Sequence, residues 1–291
     1  MKIIAFLLAT VICGSISAQD YAFRVLINKG QNEIRAGNDW LPIKVGASLK
    51  SADEVKISQN GYLGLVHVTG KPLEVKDAGQ HKVVELSAKI KEGSSVLNKY
   101  TDFILSSKTD KSNNLTATGA VHRGPDEIKL FLPKQHAIFF NDEISVSWAK
   151  VPRTKAYVVR FNSMFGDELA RMEVQDTTVS INLNGDKFTN EDNILVEVSS
   201  KTDAKKVSES IMLKKLSSAD KKRIMSALSE IAAQTEEETA LNQLFLASFY
   251  EDHGLLIDAA TAYQKAIKLA PTVPQYRSTY TDFIDRNALK N

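Results

Sequence analysis

The chain has 291 residues, 43% hydrophobic and 25% charged, with 37 Lys and Arg against 35 Asp and Glu. This is a globular composition, which excludes a disordered, collagenous or low-complexity chain. The formal net charge of +2 excludes a global electrostatic draw toward nucleic acid or anionic lipid, and the length suits two or three compact domains.

The opening residues, MKIIAFLLATVICGSISAQD, read as a secretory signal peptide over 1–18. Lys2 supplies the positive n-region. Residues 3–13 form an apolar run shorter than the ~20 residues that a bilayer-spanning helix needs. The small residues GSISA then offer a cleavage site. Cleavage after Ala18 is preferred because alanine suits the cut itself. Cleavage after Ser17 is the alternative, because Ile16 is bulky for its place. Lipidation at Cys13 fits poorly, since Ile12 precedes it. Cys13 is the only cysteine, so a mature chain starting at Gln19 has no disulfide, thiolate nucleophile or cysteine metal site. No later stretch is long and apolar enough to span a membrane. The expected location is extracytoplasmic, either periplasmic or secreted to the cell envelope. Peripheral membrane association stays open.

Residues 19–105 read as short strands separated by glycine turns. Phe23, Val25 and Ile27 alternate against Arg24 and Asn28, and Lys29-Gly30 turns the chain. Asn60-Gly61 is the signal of a two-residue hairpin, with a strand running on from Tyr62. HKVVELSAKI predicts one more strand. Val96, Leu97, Tyr100, Phe103 and Ile104 have helical spacing, with Ser94 or Ser95 as N-cap. Gly30, Trp40-Leu41-Pro42, Gly46-Ala47-Ser48-Leu49 with Asp53, and Asn60-Gly61-Tyr62 with Leu65 together resemble the FecR-type periplasmic β domain. The resemblance covers residues 23–75 and implies a bacterial source. The sensory regulators of that family carry a transmembrane helix and a cytoplasmic tail. Neither is present here, so the signalling role does not carry over. Residues 106–125 are polar and turn-rich and predict a linker.

Residues 126–215 carry strands at regular spacing, the pattern of a β-sandwich. Ile144, Val146 and Trp148 alternate toward one face, as do Tyr157, Val159 and Phe161 on the next strand. The run VSWAKVPRTKAYVVRF is similar to the fibronectin type III corner in which a buried Trp is followed by a Pro-containing turn and a Tyr-led strand. Trp148, Pro152 and Tyr157 occupy those places, which makes Trp148 a core residue. Lys205, Lys206, Lys214, Lys215, Lys221, Lys222 and Arg223 form a basic stretch, read as solvated strand edge and helix face, with a docking patch for an acidic partner as the alternative.

Residues 216–291 are helical. Ser217 and Asp220 have capping-box spacing, and Ile224, Met225, Leu228, Ile231 and Ala232 predict one apolar face. Thr235 and Glu238 predict a second capping box. Helices then run to Asp252, where Gly254 breaks the pattern, and from Leu255 to Leu269, where Pro271 stops it. Leu246, Ala247, Tyr250, Ala259, Tyr263, Ala266 and Pro271 resemble one tetratricopeptide repeat, with Gln243 where that family prefers Trp. A closing helix over 274–288 presents Tyr276, Tyr280, Phe283 and Ile284. The fold class expected is multi-domain β plus α: a small β domain, a β-sandwich, and a C-terminal helical repeat hairpin with flanking helices.

The sequence holds no Gly-x-Ser-x-Gly, no phosphate-binding glycine loop and no His-Glu-x-x-His. Its histidines, His67, His81, His122, His136 and His253, do not pair at ligand spacing. No catalytic, metal or cofactor residue is therefore assigned. The preferred reading is a non-catalytic extracytoplasmic interaction or scaffold protein with a protein partner and no nucleic acid. A ligand-binding or sensory protein is the alternative, and an unrecognised hydrolase comes last. A lone helical repeat cannot bury its own apolar face, so the C-terminal segment is expected to lean on the neighbouring sandwich or on a second protein, with a self-sufficient four-helix tail as the alternative.

Overall fold

The computed structural model describes residues 21–90, 95–106, 127–203 and 205–290. The expected signal peptide lies outside them, as does all of the expected linker except Ser106. The described residues form several antiparallel sheets and six helices, a mixed α and β class.

The N-terminal unit contains β1 (Phe23–Lys29), β2 (Glu33–Ala36), β3 (Asp39–Pro42), β4 (Ser48–Leu49), β5 (Glu54–Ile57), β6 (Tyr62–His67), β7 (Pro72–Val75) and β8 (Gly79–Lys82). One sheet runs β4-β1-β6-β7 and the other β3-β2-β5-β8. Asn60-Gly61 therefore does not close a hairpin. It joins β5 of one sheet to β6 of the other. The turn is real: Gly61 N–H donates to Ser58 O at 2.8 Å and Asn60 sits at φ 56°. A Cβ on Gly61 would lie 2.6 Å from Asn32 Oδ1 and 2.7 Å from Ser58 O, so the corner needs glycine for close approach. The dipeptide reports a backbone that turns, not which strands pair across it.

The strict alternation expected in β1 also breaks. A register shift between Val25 and Ile27 changes the parity of the strand. Phe23 and Val25 enter the core of the N-terminal unit, while Leu26 and Ile27 join the core of the helices. HKVVELSAKI is not one strand. It ends β8 at Lys82 and begins α1 (Val83–Ala88), where Val83 and Leu86, three residues apart, are the buried pair. The helix expected next is α2 (Val96–Ser106), burying Leu97, Tyr100 and Ile104.

The sandwich is built from β9 (Ile138–Phe139), β10 (Glu143–Ser147), β11 (Tyr157–Ser163), β12 (Glu168–Val174), β13 (Thr178–Asn182), β14 (Asn193–Ser200) and β15 (Ile211–Lys215). β10 pairs with β13, and Leu130 bridges to Trp148 beside them. The facing sheet runs β12-β11-β14-β15-β9. Trp148, Tyr157, Val159 and Phe161 lie in the core between the two layers. The Trp148 and Tyr157 rings meet edge-on at 5.3 Å, and Tyr157 Oη accepts from Val151 N–H at 3.0 Å to close the corner at Pro152. Ser145 and Ser147, on the outer face of β10, are also buried, 3% and 4% exposed. A helix covers them.

That helix is one of four: α3 (Ser218–Ala232), α4 (Ala240–Asp252), α5 (Leu256–Leu269) and α6 (Pro274–Arg286). α5 lies against β9 and β10. Ser217 caps α3 as expected, accepting from Asp220 N–H at 3.2 Å and donating to Asp220 Oδ2 at 2.7 Å. The apolar face of α3 is narrower than its sequence suggests. Ile224 and Ile231 are buried, but Met225 is 55% exposed and Ala232 is exposed too, because α3 packs along a single seam. Thr235 does not cap α4. Its hydroxyl turns back to Ile231 O at 3.0 Å, and Thr239 is the N-cap, accepting from Asn242 N–H at 3.2 Å. Residues 236–238 precede the helix rather than lining its first turn.

The helices do not enclose a core of their own. Their apolar cluster includes Leu26, Ile27, Tyr62 and Val66 from the N-terminal unit, Leu97, Tyr100 and Ile104 from α2, and Phe140 from the edge of the sandwich. The chain supplies the support for this helical segment itself, from both β units. Residues 216–291 expressed alone should therefore be molten or self-associating. Near-ultraviolet circular dichroism and sedimentation velocity check this; a monomer melting cooperatively at the midpoint of the whole chain would contradict it.

Candidate functional site

The residues picked out by the repeat pattern form one antiparallel pair, α4 and α5, joined by a tight turn at Gly254 with φ 71°. Ala247, Ala259 and Ala266 are completely buried, and these small side chains let the two helices approach closely. Tyr250 and Tyr263 are buried between elements, Leu246 is half-buried, and Pro271 is exposed just beyond the end of α5. Tyr263 packs on Phe283 at 4.9 Å and Tyr280 at 6.2 Å, and its hydroxyl donates to Glu251 Oε2 at 3.1 Å. Arg286 grips the same carboxylate with two bonds of 2.8 and 2.9 Å, and Asn287 Nδ2 adds a third at 2.8 Å. α4, α5 and α6 are thus knotted at Glu251. Burial pushes the Tyr263 hydroxyl far above its ordinary pKa. Tyr250 packs against Phe140 at 6.2 Å, and burial pushes its hydroxyl up to about 12.

Four further ties lie outside the repeat pattern. Asp258, 1% exposed in the first turn of α5, accepts from Phe140 N–H at 2.9 Å, Asn141 N–H at 2.8 Å and Asn141 Nδ2 at 2.8 Å. One turn later, Thr261 Oγ1 accepts from Ser145 N–H at 2.8 Å. On the other side, Glu74 of β7 accepts from Leu241 N–H at 2.8 Å, which places a carboxylate at the positive end of α4. The Tyr62 and Tyr276 hydroxyls meet at 2.6 Å, linking β6 to α6, and burial drives both far above the ordinary tyrosine pKa. Sequence reasoning named none of these as tie points. Asp258 is not singled out there, because its partners are 117 and 118 residues away.

Two clefts border this framework. The smaller, about 240 Å³, lies where Gln243, Leu246 and Tyr250 face residues 141–143 of the sandwich, with Asp258 and Lys265 on its walls. Lys265 is held by Glu143 at 2.7 Å. The larger, about 550 Å³, lies between α2, α3 and α4, lined by Tyr100, Phe249, His253, Ile231, Lys99 and Arg223 among others. The His253 ring lies 4.2 Å from that of Phe249, Lys99 reaches Asp252 at 2.6 Å, and burial raises the Tyr100 hydroxyl to about 12. Among the described residues no group of three or more His, Asp or Glu is placed to hold a metal ion, and no helix is long and apolar enough to cross a membrane. His67 is half-buried, bonded to Thr69 Oγ1 at 2.8 Å and edge-on to Phe23 at 5.0 Å, and burial lowers its pKa. The basic stretch is divided between two places. Lys205 and Lys206 sit before β15, Lys214 and Lys215 at its far end, and Lys221, Lys222 and Arg223 in α3, so the seven cations are spread over separate elements.

Tyr263→Ala should destabilise the chain by ~3–5 kcal/mol, as aromatic truncations in cores do, whereas Tyr263→Phe should cost about 1 kcal/mol for one hydrogen bond. Urea denaturation reads both.

Asp258 gives a pH signature. Burial raises its carboxyl from 3.8 to about 6, while the N–H donors of Phe140 and Asn141 pull the other way. The folded pKa lies above the unfolded one, so the native state holds the extra proton in that window and stability falls as pH rises through it. From about pH 4 to about pH 6, the wild type should lose about 3 kcal/mol relative to Asp258→Asn, with no further divergence above that window. Asp258→Ala, which strips two backbone N–H groups of their acceptor, should cost about 2–4 kcal/mol at neutral pH.

No protein-family model and no curated protein sequence matches this chain.

Proposed function

We propose that the chain is a non-catalytic interaction or scaffold protein of the bacterial cell envelope, exported by its N-terminal signal peptide and working on protein partners. In this reading the N-terminal unit is a FecR-like domain, the sandwich is fibronectin type III-like, and α4 with α5 is one tetratricopeptide-like repeat. One observation carries it. The repeat hairpin holds both β units through buried polar ties: Asp258 and Thr261 to the sandwich, Glu74 to the N-terminal unit. Such a body keeps two β modules at a fixed spacing and orientation, which serves to present surfaces to other proteins.

The larger cleft favours a second reading. Its walls of Tyr100, Phe249 and His253 suit a small ligand with an aromatic body, which would make the chain a ligand-binding periplasmic protein.

Cross-linking in intact cells of the source organism, followed by affinity capture and native mass spectrometry, separates the two. The scaffold reading expects cross-links to one or a few envelope proteins. A chain that carries a stoichiometric small molecule and no protein cross-link would favour the ligand reading. A chain that carries neither would contradict both.

A further inference from the structure

Among the described residues the larger sheet of the sandwich has one unpaired edge. β9 lies at one end of that sheet and is backed by α5; β12 lies at the other. Among the described residues no strand pairs with the outer side of β12. Its seven residues, ELARMEV, contain no proline, lysine or glycine. Proline, charged side chains and bulges are devices that blunt an exposed edge; β12 carries one bulge, at Leu169, where Phe161 pairs with Ala170 and Asn162 with Glu168, and the ladder from Ala170 to Val174 is regular.

At the tip between β11 and β12, Met164 is 48% and Phe165 93% exposed. The tip is rigidly built. Ser163 Oγ accepts from Phe165 N–H at 3.2 Å and Asp167 N–H at 3.1 Å, and Ser163 N–H donates to Asp167 O at 2.8 Å. An ordered phenylalanine is thus held in water beside an open strand edge.

We propose that β12 pairs with the β12 of a second copy of this chain, antiparallel about a twofold axis at Met172, joining two five-stranded sheets into one continuous sheet. Side chains directly opposite in an antiparallel ladder share a face, so only registers that set like face against like face are allowed. Ala170, Met172 and Val174 face the core, while Arg171 and Glu173 face solvent. An axis at Arg171 sets that arginine against itself, and an axis at Glu173 sets two carboxylates together; like charges directly opposite are unfavourable. An axis at Ala170 or Val174 shortens the ladder. An axis at Met172 sets Arg171 against the partner's Glu173, twice by symmetry, and Ala170 against the partner's Val174.

Charge therefore selects one register. Arg171 has no ion-pair partner among the described residues and is available for it. Glu173 is already held by Lys201 at 2.7 Å and would bridge two cations. In this register the Phe165 tip runs past the end of the partner's strand, over the corner at 175–177, where it leaves water. The contact is isologous, so it closes as a dimer and does not propagate.

Sedimentation equilibrium of the mature full-length chain, up to its solubility limit, tests this. A monomer–dimer equilibrium is expected. Arg171→Glu and Glu173→Arg should each abolish the dimer, and the two together should restore it, because the ion pair is re-formed with its sense reversed. Phe165→Ser should weaken the dimer about tenfold, or ~1.4 kcal/mol. Met172→Cys should give a disulfide-linked dimer on oxidation, since opposite Cα atoms lie ~4.5–5.5 Å apart, within disulfide reach. Circular dichroism verifies that each variant is folded. A chain that stays monomeric, a dimer indifferent to either single charge reversal or to Phe165→Ser, a double variant that does not recover, or a dimer without the Met172→Cys cross-link overturns the proposal. None of these outcomes depends on the envelope-scaffold reading.

Discussion

The arrangement of this chain depends on one buried carboxylate. Asp258 sits on the inner side of α5, away from solvent, with three N–H groups from residues 140 and 141 around it. An ionised carboxylate without such partners costs several kcal/mol to bury. The turn that follows β9 therefore has to be in place whenever α5 packs, and α5 has to be in place for those N–H groups to be satisfied. Thr261 repeats the arrangement one turn along, with the N–H of Ser145. Because these bonds are directional, they fix the angle between hairpin and sandwich. Apolar contact alone leaves it free to slide.

The N-terminal unit is held by the same physics from the opposite side. Glu74 answers the first turn of α4, and the Tyr62–Tyr276 hydroxyl pair answers α6. Gln275 Nε2 adds a bond to Asn28 O. The hairpin is thus tied on both sides by buried polar groups whose partners lie more than 100 residues away in sequence. The hairpin of α4 and α5 is flanked by sheets on both sides. The register shift in β1 makes this work, because it lets a single strand feed Phe23 and Val25 into one core and Leu26 and Ile27 into another.

What the sequence revealed and what it concealed follow from the range of the interactions. Helices α2 and α4 to α6, and the strands carrying Trp148, Tyr157 and Phe161, were legible because their apolar residues recur at the period of the element. Turn chemistry was legible only as turn chemistry. Asn60-Gly61 does bend the chain with a residue in the left-handed region, yet pairing across it is decided by which faces find a core, and β5 and β6 find different sheets. Thr235 and Thr239 both satisfy the local rule for a cap, and only the end of α3 against Ile231 O settles which one does so. Met225 has the spacing of a core residue, but no neighbour reaches it. Asp258 and Glu74 could not be singled out, since each looks like one more surface acid until its distant partner is known.

The two ends of the larger sheet then differ for a reason. At β9 the backbone turns into the corner that Asp258 holds, and α5 backs it, so that end is closed by the same bonds that set the hairpin. Among the described residues nothing comparable reaches β12. The helices all attach to one side of the sandwich, because the chain leaves β15 at Lys215 and enters α3 at Ser218 with only two residues between them. So short a connection keeps the helical segment beside β15 and β9 and away from the opposite edge. The open edge at β12 is thus a consequence of the topology. Among the described residues the covered edge at β9 and the open outer edge of β12, which pairs only with β11, give the molecule a polarity.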